Sequence, residues 1–159
     1  MDIVIVGVLL VAGSAAWLFY KKNHRAASIS NPNQPTLRLQ GGGKFEFAVL
    51  GVARYRNSLE KICDADRREP KTVEALLVPE DANPRDKSAV RVEVEGRTVG
   101  YLPAEVAEAY RRRLLESGYP GAHSLCKARI IARMHSSMGG RTADYSVRLD
   151  LPQKRSGDK

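Results

Sequence analysis

Two stretches of the 159-residue chain set chemically capable side chains at short, fixed spacing. The first reads Pro79-Glu80-Asp81-Ala82-Asn83-Pro84-Arg85-Asp86-Lys87-Ser88-Ala89-Val90. Asn83-Pro84 favours a turn, because proline fixes its own φ and steers the residue before it away from helix. Asp86 can accept hydrogen bonds from amides just beyond it. The second reads Val99-Gly100-Tyr101-Leu102-Pro103-Ala104-Glu105-Val106-Ala107, a strand running into a helix N-terminus. The open amides and dipole of such a terminus favour an anion. Neither stretch assembles a nucleophile, a base and an electrophile. His24, His123 and His135 sit in no Cys-x-x-Cys or His-x-x-x-His spacing, so zinc has little support. Glu80 and Asp81 beside Asp86 form a lone acidic loop, which is weak ground for a divalent metal. No Gly-x-x-x-x-Gly-Lys run is present to cradle phosphates. The chain is therefore expected to bind rather than catalyse, and to need no cofactor.

Taken together, these stretches resemble the HIRAN domain. An early strand ends in glycine and aromatics, here Leu50-Gly51-Val52-Ala53-Arg54-Tyr55. A loop of the form acid-x-x-Asn-Pro-x-Asp-x-x-Ala-Val follows as residues 81–90. A Val-Gly-Tyr-Leu-Pro-x-Glu-x-Ala joint follows as residues 99–107. The resemblance covers about residues 45–151, and the anchored, stand-alone form described below is similar to small bacterial members. It implies an OB-like barrel that binds DNA. In members fused to remodelling and fork-reversal helicases, the domain captures a single-stranded 3′ end. An Asp of the Asn-Pro loop holds the terminal hydroxyl, the loop Asn orients the base, and aromatics stack on it. Carried over, these roles fall on Asp86, Asn83 and Tyr55, with Tyr101 at the groove-facing position of the joint. Arg54, Arg85 and Lys87 complete the nucleic-acid-binding set.

Two departures from the family pattern bear on that set. Ala53-Arg54-Tyr55 stands where DNA-end-binding members have Arg-Tyr-Tyr, and Asn83-Pro84-Arg85-Asp86 where they have Asn-Pro-Tyr-Asp. Two stacking aromatics are thus replaced by arginine, which can stack on a base and neutralise phosphate. Structural readings stand beside the functional ones. Asp86 can simply cap the turn, Tyr55 and Tyr101 can be core aromatics with one wet edge, and Arg111 to Arg113 read as a solvated run compensating a helix dipole.

The elements that must position these residues are short. Residues 45–52, 72–78, 89–95 and 97–102 read as strands, with Val90, Val92 and Val94 in clean alternation. Glu95-Gly96 is a two-residue hairpin turn. A helix is expected from Pro103 to Ser117, with Val106, Tyr110 and Leu114 inward, Ala107 beside them, and Gly118 as its cap. Residues 125–134 and 144–151 form a last hairpin around Gly139-Gly140. Cys63 and Cys126 stand alone, and a small buried thiol is expected at Cys126.

Charge and hydropathy complete the expectation. The formal net charge is +8, and residues 111–159 carry 11 basic against 4 acidic side chains. That bias favours polyanions. Residues 3–20, from Ile3 to Tyr20, contain no charge and as a helix would rise about 27 Å. This approaches the ~30 Å hydrocarbon core, and Lys21, Lys22 and Arg25 behind it put the C-terminal side in the cytoplasm. The expected organisation is a transmembrane anchor at 1–20, a flexible tether at 21–43, the domain at 44–152 and a disordered tail at 153–159. The expected fold class is mainly β (α+β). It is a small, partly closed antiparallel barrel of OB or SH3-like kind, with about six strands and one helix, preceded by an N-terminal transmembrane helix. The expected protein is a single-pass cell-membrane module that binds nucleic acid, single-stranded DNA foremost. The alternative is a membrane-anchored adaptor using the same barrel for a protein partner or an anionic lipid.

Overall fold

The computed structural model describes residues 35–63 and 69–152. The strands are β1 (Thr36–Arg38), β2 (Phe47–Ala48), β3 (Lys71–Pro79), β4 (Val90–Val94), β5 (Arg97–Tyr101), β6 (His123–Ser137) and β7 (Gly140–Asp150). The helices are a 3-10 turn (Val52–Tyr55), α1 (Arg56–Ile62) and α2 (Ala104–Glu116).

The sheet runs β2-β7-β6-β3-β4-β5, and all of these neighbours are antiparallel. β1 joins in parallel at the start of β6, Thr36 opposite His123. β3 occupies the other edge of that part of β6, so β1 fills the edge ahead of β7. The sheet curls until its two ends meet at a single bridge between Leu50 and Tyr101. There Leu50 N–H donates to Tyr101 O at 2.8 Å, and Tyr101 N–H donates to Leu50 O at 3.0 Å. The result is the partly closed barrel expected from the strand pattern, with seven strands.

Local chemistry explains the elements. Val90, Val92 and Val94 are fully buried on one face of β4, beside Val99, Leu77, Ile130, Val147 and Leu149 from the neighbouring strands. Glu95 and Gly96 both have positive φ, 51° and 71°, the backbone a two-residue hairpin requires. α2 begins after Pro103, whose missing N–H costs nothing at a helix start. It buries Ala107, Tyr110 and Leu114, while Val106 is partly buried against the same core. Tyr110 Oη donates to Ser124 Oγ at 2.8 Å, so the one polar atom on that stripe has a partner. Cys63 and Cys126 are both buried, and burial pushes the Cys126 thiol up to about 12.

Three expectations need correction. The early strand is cut to β2 and the bridge, because Gly51 takes φ 73° and turns the chain into the 3-10 turn. A second helix follows: α1 buries Leu59 and Ile62 one turn apart and pairs Arg56 with Glu60 across i,i+4. Its seven residues are too few for a readable period. Thr36 to Gly43, expected in the tether, belongs to the fold. β1 pairs with β6, Leu39 N–H donates to Leu125 O at 2.7 Å, and Gly43 N–H donates to Asp150 Oδ1 at 2.8 Å.

The third correction concerns the membrane. The anchor expected over Ile3 to Tyr20 lies outside the described residues, as does the tail at 153–159. Among the described residues no helix is long and apolar enough to cross a membrane. The longest, α2, has 13 residues, a rise of about 20 Å, and carries charges along its length. Among the described residues the architecture is therefore the barrel with its helices, and it includes no transmembrane helix. The described residues give no support to the membrane-anchored bacterial-type form, the membrane partner or the single-pass localisation.

Gly100 is where closure tests the sequence most severely. A Cβ there would lie 2.4 Å from Leu50 O and 2.5 Å from Val49 Cγ1, at φ 153°. Gly100→Ala must push the two sheet ends apart or strain both. A loss of about 2 kcal/mol or more is expected, within the range of overpacked core sites. Urea unfolding should show a lower midpoint at an unchanged slope, and a midpoint equal to wild type would disprove the closure argument.

Candidate nucleic-acid interface

The bridge that closes the barrel also sets the site. Tyr101 ends β5 opposite Arg91, and Tyr55 ends the 3-10 turn that starts just past Leu50. The two rings meet with centroids 6.4 Å apart and planes tilted by 47°. Both are half-buried, each keeping part of its face towards solvent. Desolvation, then the hydrogen bond to Tyr55 and the nearby Glu80 charge, push the Tyr101 hydroxyl up to about 12. Tyr101 is therefore neutral throughout the physiological range.

Beside the pair stands the loop from β3 to β4, organised from the inside outwards. Glu93 is buried on β4, on the face opposite the valines, and Arg91 Nε donates to its Oε1 at 3.0 Å. Arg91 also pairs with Glu80 Oε1. The other oxygen of Glu80 accepts from Asn83 Nδ2 at 2.9 Å. Asn83 Oδ1 in turn accepts from the amides of Arg85 at 3.0 Å and Asp86 at 3.3 Å, the Asx-turn geometry that precedes so many tight loops. Asp86 Oδ1 accepts from Ser88 N–H at 2.8 Å and from Ser88 Oγ at 2.5 Å. Those two bonds hold the Asp86 carboxyl below its ordinary value, with Arg111 adding a smaller pull the same way. A chain of charge-assisted bonds thus runs from a buried glutamate to the exposed tip.

A second tie reaches the loop from α2. Arg111 Nη2 pairs with Asp81 Oδ1, while Arg111 Nη1 is buried without a hydrogen-bond partner among the described residues. An open cavity of about 690 Å³ lies over the loop, and its walls include Glu80, Asn83, Arg85 and Arg91. Asp86 and Lys87 are exposed and stand outside that lining. Arg54 is exposed on the 3-10 turn, next to Tyr55.

Of the residues singled out in the sequence, Tyr55 and Tyr101 are brought into contact, and Asn83, Arg85, Asp86 and Lys87 share one ordered loop. Arg54 shares only the turn. Glu80, Arg91 and Arg111 were missed. Arg91 and Glu93 had a signal, since valine alternation puts both on the opposite face of β4 at i,i+2. Arg111 had none, because its partner is 30 residues away in sequence and only the fold joins them.

A curled antiparallel barrel with a strand-to-helix joint at its closure defines an OB-like module. The HIRAN domain family model matches residues 42–135, more than half of the chain. The chain belongs to the HIRAN domain family, whose members are non-catalytic, and it is not an enzyme. Among solved structures, the crystal structure of the HIRAN domain of human HLTF is similar at 16% identity and a TM-score of 0.33. That likeness covers 66% of this chain and 74% of the other. No curated protein matches.

Two measurements test this account of the site. Asn83→Ala should speed amide exchange at Arg85 and Asp86 by about fivefold, as each loses a bond worth roughly 1 kcal/mol. The global unfolding midpoint should move little, since the loop is exposed. His123, buried at the start of β6 with no partner for Nδ1 among the described residues, gives a pH test. Desolvation holds its pKa below the ordinary 6.5, with the Glu93 charge opposing. The unfolded chain then takes up the proton first, so this contribution is present above about pH 6.5 and lost as pH falls. Between about pH 7.5 and 5.5 the melting temperature of wild type should drop more than that of His123→Gln.

Proposed function

We propose that the chain is a HIRAN module that binds nucleic acid, single-stranded DNA above all, at the barrel mouth formed by Tyr55, Tyr101 and the loop of Asn83 to Lys87. The observation that carries this reading is the Tyr55–Tyr101 pair, two half-exposed rings packed together beside a loop held by charged bonds. Partly exposed aromatic faces offer a base a stacking platform worth roughly 1–3 kcal/mol. Arg54, Arg85 and Lys87 surround it with exposed cations for phosphate, and Arg54 and Arg85 can themselves stack. The loop is ordered by its own bonds, so little further ordering is needed when a ligand arrives. Asp86 is ionised at neutral pH and in this reading accepts from the terminal 3′ hydroxyl, while Asn83 orients the last base. The Ser88 bonds to Asp86 give the same side chain a structural duty, and the two roles are compatible.

Fluorescence anisotropy of the full chain with a short single-stranded oligonucleotide tests this, using a free 3′ hydroxyl against a 3′ phosphate. The free end should bind at least about tenfold more tightly, the worth of one charged hydrogen bond plus relief of carboxylate–phosphate repulsion. Tyr55→Ala or Tyr101→Ala should weaken binding about 5- to 150-fold, and Asp86→Asn should erase the difference between the ends. Equal affinity for both ends sinks end capture. No binding to either at moderate salt sinks the nucleic-acid reading.

A further inference from the structure

The long hairpin of β6 and β7 carries a feature that the mouth does not use. Its register is unbroken from Lys127 opposite Asp150 to Ser137 opposite Gly140. Directly opposed residues share a face, so Ala128, Ile130, Val147 and Leu149 point into the barrel. Lys127, Arg129, Arg133 and Arg148 lie on the outer face. Arg129 stands directly opposite Arg148, a like-charge pair that opposes strand pairing. The row continues on either side to Thr72 and Ala48, so no carboxylate occupies it. Arg133 lies about 13 Å further along the strand. Its cross-strand neighbour Asp144 is engaged by His135 Nε2 at 3.1 Å instead. At the other end, Lys127 is flanked by Glu74, paired with Arg38, and by Asp150, which accepts from Gly43. Among the described residues Arg129, Arg148 and Arg133 therefore make no ion pair of their own, and only Arg133 has a carboxylate, Asp144, directly opposite it.

Their position matters as much as their charge. A shallow cavity of about 440 Å³ is bounded by Arg133, His135 and Arg148 on the hairpin and by Val49 and Val52 on the other side. Val52 begins the 3-10 turn that ends in Tyr55. The arginine row and the aromatic mouth thus flank the same turn. Arg56 fixes the junction by donating from Nη2 to Ala143 O on β7 at 2.6 Å. Arg129 is itself held flat, its guanidinium 4.0 Å above the Phe45 ring, which leaves less side-chain entropy to lose on contact.

We infer that the outer face of the β6–β7 hairpin is a second nucleic-acid surface, on which Arg129, Arg133 and Arg148 neutralise the phosphate backbone of the strand leaving the mouth. The inference rests on the proposed function for the nature of the ligand. It adds a sequence-independent footprint beyond the end-binding mouth. A like-charge pair is tolerated across a strand pair when an anion completes it, and arginines spaced along one exposed face, with no carboxylate in the Arg129–Arg148 row, fit a regularly spaced polyanion.

The test uses the full chain and two oligonucleotides with free 3′ ends, one of about 4 nucleotides and one of about 20, titrated from about 0.1 to 0.5 M salt. The long strand should bind more tightly, and its log–log salt slope should exceed that of the short strand by about 2, from three phosphates at roughly 0.7 each. Arg129→Gln/Arg133→Gln/Arg148→Gln should remove that excess, which amounts to about 100-fold at 0.1 M salt relative to a 1 M intercept. Binding of the short strand should be unchanged. The double variant Arg133→Gln/Arg148→Gln leaves the Phe45 stack intact and should remove about two-thirds of the excess slope. Its melting temperature should stay level or rise, because the opposed charges are gone. Equal slopes for short and long strands in wild type would overturn the inference while leaving the mouth standing. So would a triple variant that keeps the excess, or one captured by anionic vesicles but blind to strand length. Loss of short-strand binding in wild type, with the long-strand slope and its arginine dependence intact, would instead sink the mouth and spare the hairpin.

Discussion

Closure of the sheet at one point, Leu50 against Tyr101, is the constraint on which the other features depend. Only two backbone hydrogen bonds make that seam, worth together about 1–3 kcal/mol net. Their effect exceeds their energy because they fix where three things lie. Tyr101 is held at the seam on one side. The 3-10 turn begins two residues beyond Leu50 on the other, and delivers Tyr55 onto Tyr101. Gly100 is the residue that lets the backbones approach, since any side chain there would meet Leu50 O and Val49. A motif that looks like a binding signature is thus in part a closure signature. Val99 fills the core, Gly100 admits the opposite edge, Tyr101 faces the site, and Pro103 starts the helix.

The loop beside the seam shows how an exposed segment is kept in one shape without a core of its own. Its order comes from a relay of acceptors and donors anchored at Glu93, which is nearly fully buried and one of whose oxygens has no hydrogen-bond partner among the described residues. A buried carboxylate of this kind is costly unless a cation stays with it. Arg91 therefore answers first to Glu93, and through Glu80 to Asn83. The exposed tip inherits its shape from a charge requirement inside the barrel. Arg111, reaching from α2 to Asp81, ties the loop to the helix that starts at the seam.

Much of this was legible in the residues, and the failures have physical causes. Alternation in Val90 to Val94, the Glu95-Gly96 turn and the Pro103 helix start are local signals, and each lies where it was read. α1 was missed because seven residues carry too little period. The short parallel strand β1 was missed because its partner lies more than 80 residues away, and the Thr36-Leu37-Arg38-Leu39 alternation is too brief to stand out from the polar stretch before it. Tyr55 and Tyr101 were readable as a pair only through the family pattern. Arg111 was read as a solvated helix charge, since nothing nearby in sequence reveals a carboxylate that folding carries to it. Hydropathy read the apolar start at Ile3 as an anchor, yet among the described residues the fold is completed without any membrane-spanning helix.

The replacement of two family aromatics by Arg54 and Arg85 has a sharper meaning once both surfaces are considered. An aromatic contributes stacking that salt leaves largely alone, whereas an arginine contributes phosphate neutralisation that salt erodes. Here the retained rings are confined to the seam, and cations occupy the turn, the loop and the outer hairpin. The balance is thereby moved from a few strong contacts at a strand end towards many weak ones along its length. Such a surface gains affinity with strand length and gives up discrimination at the tip, because phosphates are the same at every position and only the last nucleotide carries a hydroxyl. In the proposed reading, the Tyr55–Tyr101 pair and Asp86 are the parts of the site that would tell an end from a middle. In that reading selectivity for ends comes from the seam and the Asp86 loop, and phosphate contacts elsewhere add affinity without it.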